Sequence, residues 1–339
     1  MNTGGSHLKL IHGSRIQKIT TGFKVLKKWL SHPEMKRSHK LAKRPKIIQY
    51  IDFLFSVAFY GATLQDYLVF EFYNKSHKKR KSFVTGRKLH QFFDKVNNKN
   101  RTDIFREKDR FAEVFKTYLG REIFMLNLDG SNIDDAKSWL SDRSMVFAKP
   151  RKGVEGRGVT RLAIDDNIED IINYCLDNKL DLIEESIVQH PEMNELHPHS
   201  ANTIRLITLV ENKDVRLVGA SLRMGNGGHV DNAAQGGIYA SVDSTTGKLD
   251  SVAFNSLGEK YANHPITNQP IKGFQIPFWE NVVEICKKAA LEVPDVRCVG
   301  WDVAISEKGP LLIEGNDRWS RFVWQHPKER GLYNKIKDY

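Results

Sequence analysis

Residues 299–319 read VGWDVAISEKGPLLIEGNDRW, a stretch that predicts two strands joined by a tight turn. Gly309 marks the turn, which we predict to be a three-residue loop at 307–309 with Gly309 in the left-handed conformation. In this register Asp302 lies directly opposite Glu314 on one face of the hairpin. The other positions of both strands are mainly apolar, which is typical of strands covered on both faces.

Two carboxylates that face each other across a ladder repel unless a cation lies between them. Asn316 is two residues after Glu314, so it points to the same side and adds a neutral oxygen. Hard divalent cations prefer oxygen ligands of this kind. Asp302, Glu314 and Asn316 therefore form the predicted metal site, and the alternative is a surface hairpin whose acids are simply solvated.

Composition and charge limit the classes of protein that the chain can represent. Its 339 residues are 40% hydrophobic, enough for two or three domains, and its net charge of +11 indicates anionic partners: nucleotides, nucleic acid, anionic glycans or a membrane surface. Three cysteines without CxxC spacing indicate neither a disulfide framework nor a zinc site, which predicts a cytoplasmic location. We find no secretory signal, and the longest apolar run, 53–60, is too short to span a bilayer.

Residues 14–30 predict a basic amphipathic helix, because apolar residues recur at helical spacing and lysines occupy other positions around the helix. Such a helix either lies on the inner face of an anionic membrane as a peripheral contact or packs on its own domain. The apolar set is Ile16, Ile19, Phe23, Leu26 and Leu30, and the basic set is Lys18, Lys24, Lys27 and Lys28.

The predicted elements divide the chain into a helical part and an α+β part. Helices are predicted at 47–73 with a break at Gly61, at 89–96 and at 110–119, with a solvated charged turn at 74–81. Strands are predicted at 122–126, 145–149, 159–164, 182–188, 203–210, 215–223 and 238–242, with helices at 134–140, 168–178 and 278–291. The predicted domains are a basic, mainly helical N-terminal domain at 1–105, subdomains at 106–188 and 189–326, and a tail at 327–339.

A glycine-rich loop lies between the strands at 145–149 and 159–164. Gly153, Gly156 and Gly158 would allow backbone N–H groups to approach phosphate oxygens. The loop lacks the Gly-Lys-Ser/Thr of a Walker A motif, and a strand rather than a helix follows it, so it is no Rossmann fingerprint. With Lys149 at the end of the entering strand, the loop predicts a flap over a triphosphate, and an ordinary mobile hairpin is the alternative.

Residues 182–189, LIEESIVQ, form an apolar strand that runs into two acids. A carboxylate at the end of a buried strand suits the exocyclic amine of adenine, and Glu184 is the better candidate. Glu185, Ser186 and Ile187 offer main-chain contacts. The alternative is a strand end that reaches water.

Four elements now stand in a familiar order: Lys108 before a helix, Lys149 with its glycine loop, the acidic hinge at Glu184, and the hairpin acids. The chain resembles the ATP-grasp superfamily over residues 60–319. Three phrases are similar to the branch called sugar-transfer-associated ATP-grasp, which is related to α-L-glutamate ligases. They are QHPEMNELHPHSANTIRLIT at 189–208, GHVDNAAQGGI at 228–238 and GWDVAISEKGPLLIEGN at 300–316.

The resemblance implies an α+β ATP-grasp fold, in which two α+β subdomains clasp a nucleotide, preceded by a mainly helical N-terminal domain. It also implies ATP and two Mg²⁺ ions, with Mn²⁺ as a substitute, and phosphorylation of a carboxylate to an acyl phosphate that an amine attacks. Lys108 and Lys149 would contact phosphates and Glu184 the adenine amine. The hairpin residues Asp302, Glu314 and Asn316 would hold the metal ions.

Arg205 and Arg223 lie on strands that lead toward the predicted site. Phosphoryl transfer concentrates negative charge on oxygens, so cationic side chains there have a catalytic use. An arginine fork binds either carboxylate or phosphate, and structural salt bridges are the alternative. Asp231 and Asn232, next to His229 in a glycine-rich segment, are predicted to contact substrate.

The leading hypothesis is an ATP- and Mg²⁺-dependent carboxylate–amine ligase in cell-surface polysaccharide synthesis. Its partners would be a small or sugar-linked carboxylate and an amine donor. A second hypothesis keeps the fold but transfers phosphate to a hydroxyl, as a kinase does. A third, ranked last, is a non-enzymatic basic module that binds nucleic acid or an anionic membrane through 36–46 and 75–88, with steep salt dependence.

Overall fold

The computed structural model of the protein describes residues 38, 45–151, 158–164, 167–212, 214–227 and 236–339. Backbone contacts divide the chain into two compact units, Met1–Ser76 and His77–Tyr339. The subdomain boundaries predicted from the sequence at 105, 188 and 326 stay predictions. The predicted amphipathic helix at 14–30 lies outside the described residues.

Within residues 45–76 of the first unit the structure describes two helices, α1 (Lys46–Tyr60) and α2 (Leu64–Val69), followed by a 3₁₀ turn at Phe72–Asn74. Gly61 ends α1 in the left-handed conformation, with φ of 63°. Thr63 and Asp66 form a capping box at the start of α2. The helical prediction for 47–73 is therefore confirmed as far as Val69, with its break at Gly61, whereas the last residues form a turn and the 3₁₀ segment.

The second unit begins with four helices and continues as two antiparallel sheets with further helices. The first helices are α3 (His77–Lys81), α4 (Gly86–Val96), α5 (Lys108–Val114) and α6 (Lys116–Leu119). The later ones are α7 (Ile133–Leu140), α8 (Ile168–Asp177), α9 (Pro191–Leu196), α10 (Trp279–Glu292) and α11 (Arg321–Gln325). Short 3₁₀ segments occupy Lys99–Phe105 and Tyr333–Lys335.

The smaller sheet has four antiparallel strands in the order β1-β4-β2-β3. Its strands are β1 (Ile123–Met125), β2 (Met145–Lys149), β3 (Thr160–Ala163) and β4 (Leu182–Glu185). The helices α7 and α8 contribute to its core, where Leu140, Val146, Ile172 and Ile183 are at most 1% exposed. These strands and helices were all predicted, but β4 ends at Glu185 instead of 188.

The larger sheet has seven antiparallel strands in the order β11-β10-β5-β6-β7-β8-β9. They are β5 (Thr203–Glu211), β6 (Asp214–Met224), β7 (Ile238–Val242), β8 (Ala253–Phe254), β9 (Lys260–Tyr261), β10 (Cys298–Ser306) and β11 (Gly309–Asn316). Eight of the nine residues of β10 are buried, as the apolar runs of the hairpin predict. This buried strand carries Asp302 at its middle.

The hairpin turn is one residue shorter than predicted. Ser306 pairs with Gly309, so the connection contains two residues instead of three, and Gly309 keeps its positive φ of 116° within the ladder. A β-bulge after the pair Asp302–Glu314 then leaves Ile313 without an opposite residue. Because the bulge restores the residue that the turn lacks, Asp302 still lies opposite Glu314.

One turn prediction and one helix prediction were wrong in detail. The run at 74–81 was predicted as a solvated turn, but His77–Lys81 form a helix in which Arg80 is buried. The helix predicted at 110–119 is broken at Phe115 between α5 and α6. Phe115 leaves helical geometry and packs its ring against Trp301, with 5.3 Å between the centroids, and the ring is completely buried.

No helix in the described ranges is long and apolar enough to cross a membrane.

Candidate active site

A row of charged side chains crosses one face of the larger sheet. Asp302 on β10 pairs with Glu314 on β11 and, on its other side, with Arg205 on β5. Arg205 Nε donates to Asp302 Oδ1, and Arg205 Nη2 donates to Oδ2 at 2.9 Å. Arg223 on β6 donates to the same Oδ2 at 2.8 Å. The two predicted arginines therefore share one buried carboxylate, whose residue is 1% exposed.

The arginines set the ionisation of Asp302. Burial by itself would raise the pKa of this carboxyl, but the charges of Arg205 and Arg223 outweigh burial and lower its pKa to about 2. Asp302 is thus an anion at neutral pH and is largely neutralised by its neighbours. The catalytic role assigned to the two arginines stays a prediction, because in this structure both bind protein.

Gly300 leaves the space that the side chains of Arg205 and Trp319 occupy, because it has no side chain of its own. A Cβ at Gly300 would lie 2.7 Å from Cβ of Trp319 and 3.0 Å from Cδ of Arg205. Any larger residue would therefore displace the indole or the arginine stem. Gly300 is the first residue of the family-like phrase at 300–316. Its packing role is visible only in the tertiary structure.

Glu314 has the opposite electrostatic character. Its side chain reaches solvent, but partial loss of hydration and then the charge of Asp302 raise the pKa of this carboxyl. Asn316 Nδ2 donates to Glu314 Oε1 at 3.2 Å. The three predicted metal ligands therefore lie together, with Asp302 neutralised by arginines and Glu314 beside it without an arginine partner among the described residues.

Glu184 on β4 lies between two cations. Lys149 Nζ is 2.6 Å from Oε1, and Arg121 Nη2 is 2.9 Å from Oε2. Burial alone would raise the pKa of Glu184, but these charges lower it to about 2. The predicted contact with an adenine amine is untested, and in this structure both carboxylate oxygens already accept from protein groups.

At the hinge after β4, the side chain of Glu185 is hydrogen-bonded, whereas the backbone groups of Ser186 and Ile187 are not bonded to another described residue. The Glu185 carboxylate accepts from Arg143 at 2.9 Å and from the backbone N–H of Glu122 at 2.8 Å, so it serves the sheet. Ser186 and Ile187 follow the end of the strand, and their backbone groups form no hydrogen bond with another described residue. Their donors and acceptors are therefore available at the hinge.

Lys108, the first residue of α5, contacts the two residues that precede the predicted glycine flap. Its Nζ donates to the carbonyls of Pro150 and Arg151 at 3.1 and 3.3 Å. Burial and then the charge of Lys149 lower the pKa of Lys108, while Glu314 and Glu184 act in the opposite direction. Lys108 thus lies within electrostatic range of residues from both sheets.

Gly158, the first described residue after the predicted flap, has φ of 77°, and a Cβ there would lie 3.2 Å from Pro150 Cδ. Gly153 and Gly156 lie outside the described residues. The predicted substrate residues Asp231 and Asn232, and their neighbour His229, also lie outside them.

A protein-family model described as sugar-transfer associated ATP-grasp matches residues 87–339, more than half of the chain. The chain belongs to this family. The ATP-grasp fold expected from the sequence is therefore established, as is the general class of ATP-grasp enzyme. No curated protein matches the sequence significantly.

Solved structures of ATP-grasp enzymes resemble this family member only distantly. D-alanine–D-alanine ligase from Bacillus anthracis is 11% identical with a TM-score of 0.44, covering 75% of this chain and 74% of its own. An ADP complex of N5-carboxyaminoimidazole ribonucleotide synthetase is also 11% identical, with a TM-score of 0.41 and 70% of this chain covered. L-amino acid ligase from Bacillus licheniformis is 10% identical, with a TM-score of 0.40 and 65% covered. The chain spans 52% and 42% of the length of the last two.

The donor set of this ATP-grasp chain fits a hard cation that takes further ligands from phosphate. Among the described residues, no three His, Cys, Asp or Glu side chains are grouped to hold a metal ion. The hairpin instead presents two opposed carboxylates and an amide, and Mg²⁺ is commonly bound by one or two carboxylates together with substrate phosphates. Burial and then the charge of Asp302 raise the pKa of Glu314, and a cation bound between the two carboxylates would act in the opposite direction.

Arg121 is the residue of this ATP-grasp site that sequence reasoning missed. It is 4% exposed by its side chain, and besides Glu184 it donates to the carbonyl of Leu312 on β11 at 2.7 Å. Its Nη2 also reaches the carbonyl of Ile313, the bulged residue, at 3.5 Å. Arg121 therefore joins the two sheets beside both the hinge and the hairpin acids. No motif or spacing in the sequence marks it.

Proposed function

We propose that the chain is an ATP- and Mg²⁺-dependent ligase that joins a carboxylate to an amine and forms ADP. The observation that supports this most directly is the grouping of Lys108 and Lys149 with acids of both sheets, Glu184 and Glu314. Such a site places cations and metal-binding oxygens around one region, as phosphoryl transfer requires.

In the proposed reaction, an oxygen of the substrate carboxylate attacks the γ-phosphorus of ATP, and ADP leaves. The amine nitrogen then attacks the acyl carbon, an amide bond forms, and inorganic phosphate leaves. Lys108 and Lys149 would offset charge on the phosphate oxygens, and the open backbone groups of Ser186 and Ile187 would hydrogen-bond the adenine edge. Little acid–base chemistry is needed in the first step, because a carboxylate is already a nucleophile at neutral pH.

Asp302, Glu314 and Asn316 would hold Mg²⁺. Mg²⁺ would supply positive charge next to the phosphate oxygens. Two ions are proposed, and Mn²⁺ would replace them because it accepts the same oxygen ligands. Arg205 and Arg223 would keep Asp302 ionised and fixed in orientation.

The substrate class is the finer part of the proposal. The family description associates these chains with sugar transfer, and we propose a sugar-linked carboxylate or an amino acid as substrate in cell-surface polysaccharide synthesis. The cytoplasm, which supplies ATP, is the proposed location. Asp231 and Asn232 are the proposed substrate contacts.

The test is to incubate the purified chain with ATP, Mg²⁺ and a panel of amino acids and uronic acid sugars, and to record ADP release. Hydroxylamine added to the reaction should trap the acyl phosphate as a hydroxamate. A stable phosphorylated product without hydroxamate would instead support the kinase. Salt-sensitive nucleic-acid binding with no ADP release would support the non-enzymatic module.

The matched variants are Glu314→Gln and Glu307→Gln, which lie on the same hairpin. Glu314→Gln removes the proposed metal-binding charge and should lower turnover by about a hundredfold or more, with an unchanged circular dichroism spectrum. Glu307 is an exposed turn residue, so its variant should be as active as the original chain. Equal turnover in both variants would contradict the metal assignment.

A further inference from the structure

The outward face of α1 is apolar along its whole length. Ile47 and Phe59, near its two ends, are 64% and 69% exposed. Between these ends the exposed positions recur every three or four residues, which is one side of a helix. We call this surface the α1 apolar face; its members are Ile47, Ile48, Ile51, Leu54, Phe55 and Phe59.

The inward face of α1 is mixed, since its buried side chains are two aromatic and two polar ones, Phe53, Tyr60, Gln49 and Ser56. Gln49 and Ser56 are fully buried, and Asp52 accepts from the hydroxyl of Tyr67 at 2.9 Å. Gln49 also donates to Ser38 at 2.9 Å. A helix on the surface of a soluble domain normally turns its apolar side inward. In α1 apolar side chains also cover the exposed side, which indicates that this side meets something other than water.

Two aromatic rings lie at the C-terminal end of the α1 apolar face. Phe55 and Phe59 stack with 4.1 Å between their centroids, so they form one ridge one helical turn apart. Exposed phenylalanines on such a helix are typical of segments that lie in the interface of a bilayer.

The positive charge of residues 1–76 favours an anionic partner for the α1 apolar face. Residues 1–76 contain thirteen Lys and Arg and only four Asp and Glu, so they carry +9 of the chain's +11. Twelve of the thirteen basic residues lie in residues 1–46, up to the first residue of α1. Of the acids, Asp66 is fully buried in its capping box. A second copy of the chain would bring like charge to this face, whereas an anionic lipid surface is complementary to it.

We propose that the α1 apolar face docks on an anionic lipid bilayer, with Phe55 and Phe59 among the upper acyl chains and the flanking Lys and Arg at the headgroups. This inference is independent of the proposed ligase, because it uses other residues and a different measurement.

The experiment is sedimentation of the full chain with vesicles. One set is phosphatidylcholine alone, and the other contains about one phosphatidylglycerol in four lipids, each at low and at high NaCl. We expect binding to the anionic vesicles that weakens as salt rises. Phe59→Ser should weaken this binding by about tenfold or more, because an exposed phenylalanine would no longer enter the bilayer.

Two further variants separate docking from loss of fold. Ile47→Ser, at the other end of the face, should weaken binding in the same direction, and both variants should keep the circular dichroism spectrum. Ile266→Ser is the matched control, since Ile266 is 48% exposed but belongs to the second unit. It should bind vesicles as the original chain does.

Several results would overturn the proposal. Binding that is equal on both kinds of vesicle, or unchanged in Phe59→Ser and Ile47→Ser, would exclude this face as an anionic-membrane site. Concentration-dependent self-association that Phe59→Ser abolishes, without vesicle binding, would assign the face to a second copy. A crosslink between residues 14–30 and α1 in a chain that does not bind vesicles would assign it to the chain's own N-terminal segment.

Discussion

Replacing Arg121 with Met removes the guanidinium that joins the two sheets while keeping a long, unbranched side chain. Arg121 makes charge-assisted hydrogen bonds to Glu184 and donates to main-chain carbonyls of β11, and its side chain is only 4% exposed. The variant leaves Glu184 with Lys149 as its one remaining partner among the described residues. We expect a large loss of stability, because a buried carboxylate then lacks half of its compensation.

The magnitude follows from the ionisation of Glu184. The pKa of this carboxyl falls from 4.5 to about 2 in the folded chain, which corresponds to about 3 kcal/mol of stability at neutral pH. Lys149 keeps part of this when Arg121 is absent, but each lost carbonyl contact adds about 0.5–1.5 kcal/mol. We therefore expect Arg121→Met to lower the free energy of unfolding by about 3–5 kcal/mol, the usual cost of breaking a buried ion pair.

The loss should depend on pH in one direction. Because the folded pKa of Glu184 lies below its unfolded value, the stabilisation is fully present above pH 4.5 and is lost as pH falls toward 2. The Glu184 contribution of about 3 kcal/mol at pH 7 should shrink to about 1 kcal/mol near pH 3. The difference between variant and original chain should therefore narrow in acid.

Urea unfolding at both pH values, followed by tryptophan fluorescence, measures these differences. Lys288→Met is the control, since it breaks an ion pair with Glu284 whose side chains are 62% and 58% exposed, and such a pair contributes under about 0.5 kcal/mol. In the double variant Arg121→Met, Glu184→Gln, the cost should be below the sum of the single costs by about 1 kcal/mol or more. A cost for Arg121→Met equal to the control, or one that does not change with pH, would refute the reasoning.

Three other predictions concern separate parts of the molecule. Lys149→Met should raise the KM for ATP by about tenfold or more. Lys137→Met, which removes a half-exposed lysine paired with Glu169, should leave the KM unchanged; equal KM values in the two variants would remove Lys149 from the phosphate site. Gly219→Ala should lower the unfolding midpoint in urea, because its Cβ would lie 2.3 Å from Nε1 of Trp324; an unchanged midpoint would show that the indole moves freely. The thiols should react with Ellman's reagent at pH 8 only after unfolding, since burial raises the pKa of each, and a rapid reaction of the native chain would contradict this. They are Cys175, with a pKa of about 11, Cys298, with a pKa of about 12, and Cys286.

The sequence by itself determined most of the strands and, within the hairpin, the two acids that face each other. Alternation with period two puts Asp302, Glu314 and Asn316 on one face, and the apolar runs around them predict a buried hairpin. These are local properties, readable within about twenty residues of chain. The opposition of Asp302 and Glu314 was predicted correctly even though the turn is shorter, because the bulge at Ile313 compensates.

Tertiary structure alone decided which charges compensate one another. Arg205 is 97 residues from Asp302, and Arg121 is 63 residues from Glu184, so no local pattern relates them. A buried carboxylate takes whichever cation the fold brings within hydrogen-bond distance, since leaving it alone is costly. The sequence therefore predicted the acids and the lysines of the site. Which cation pairs with which acid was decided by the packing of the two sheets.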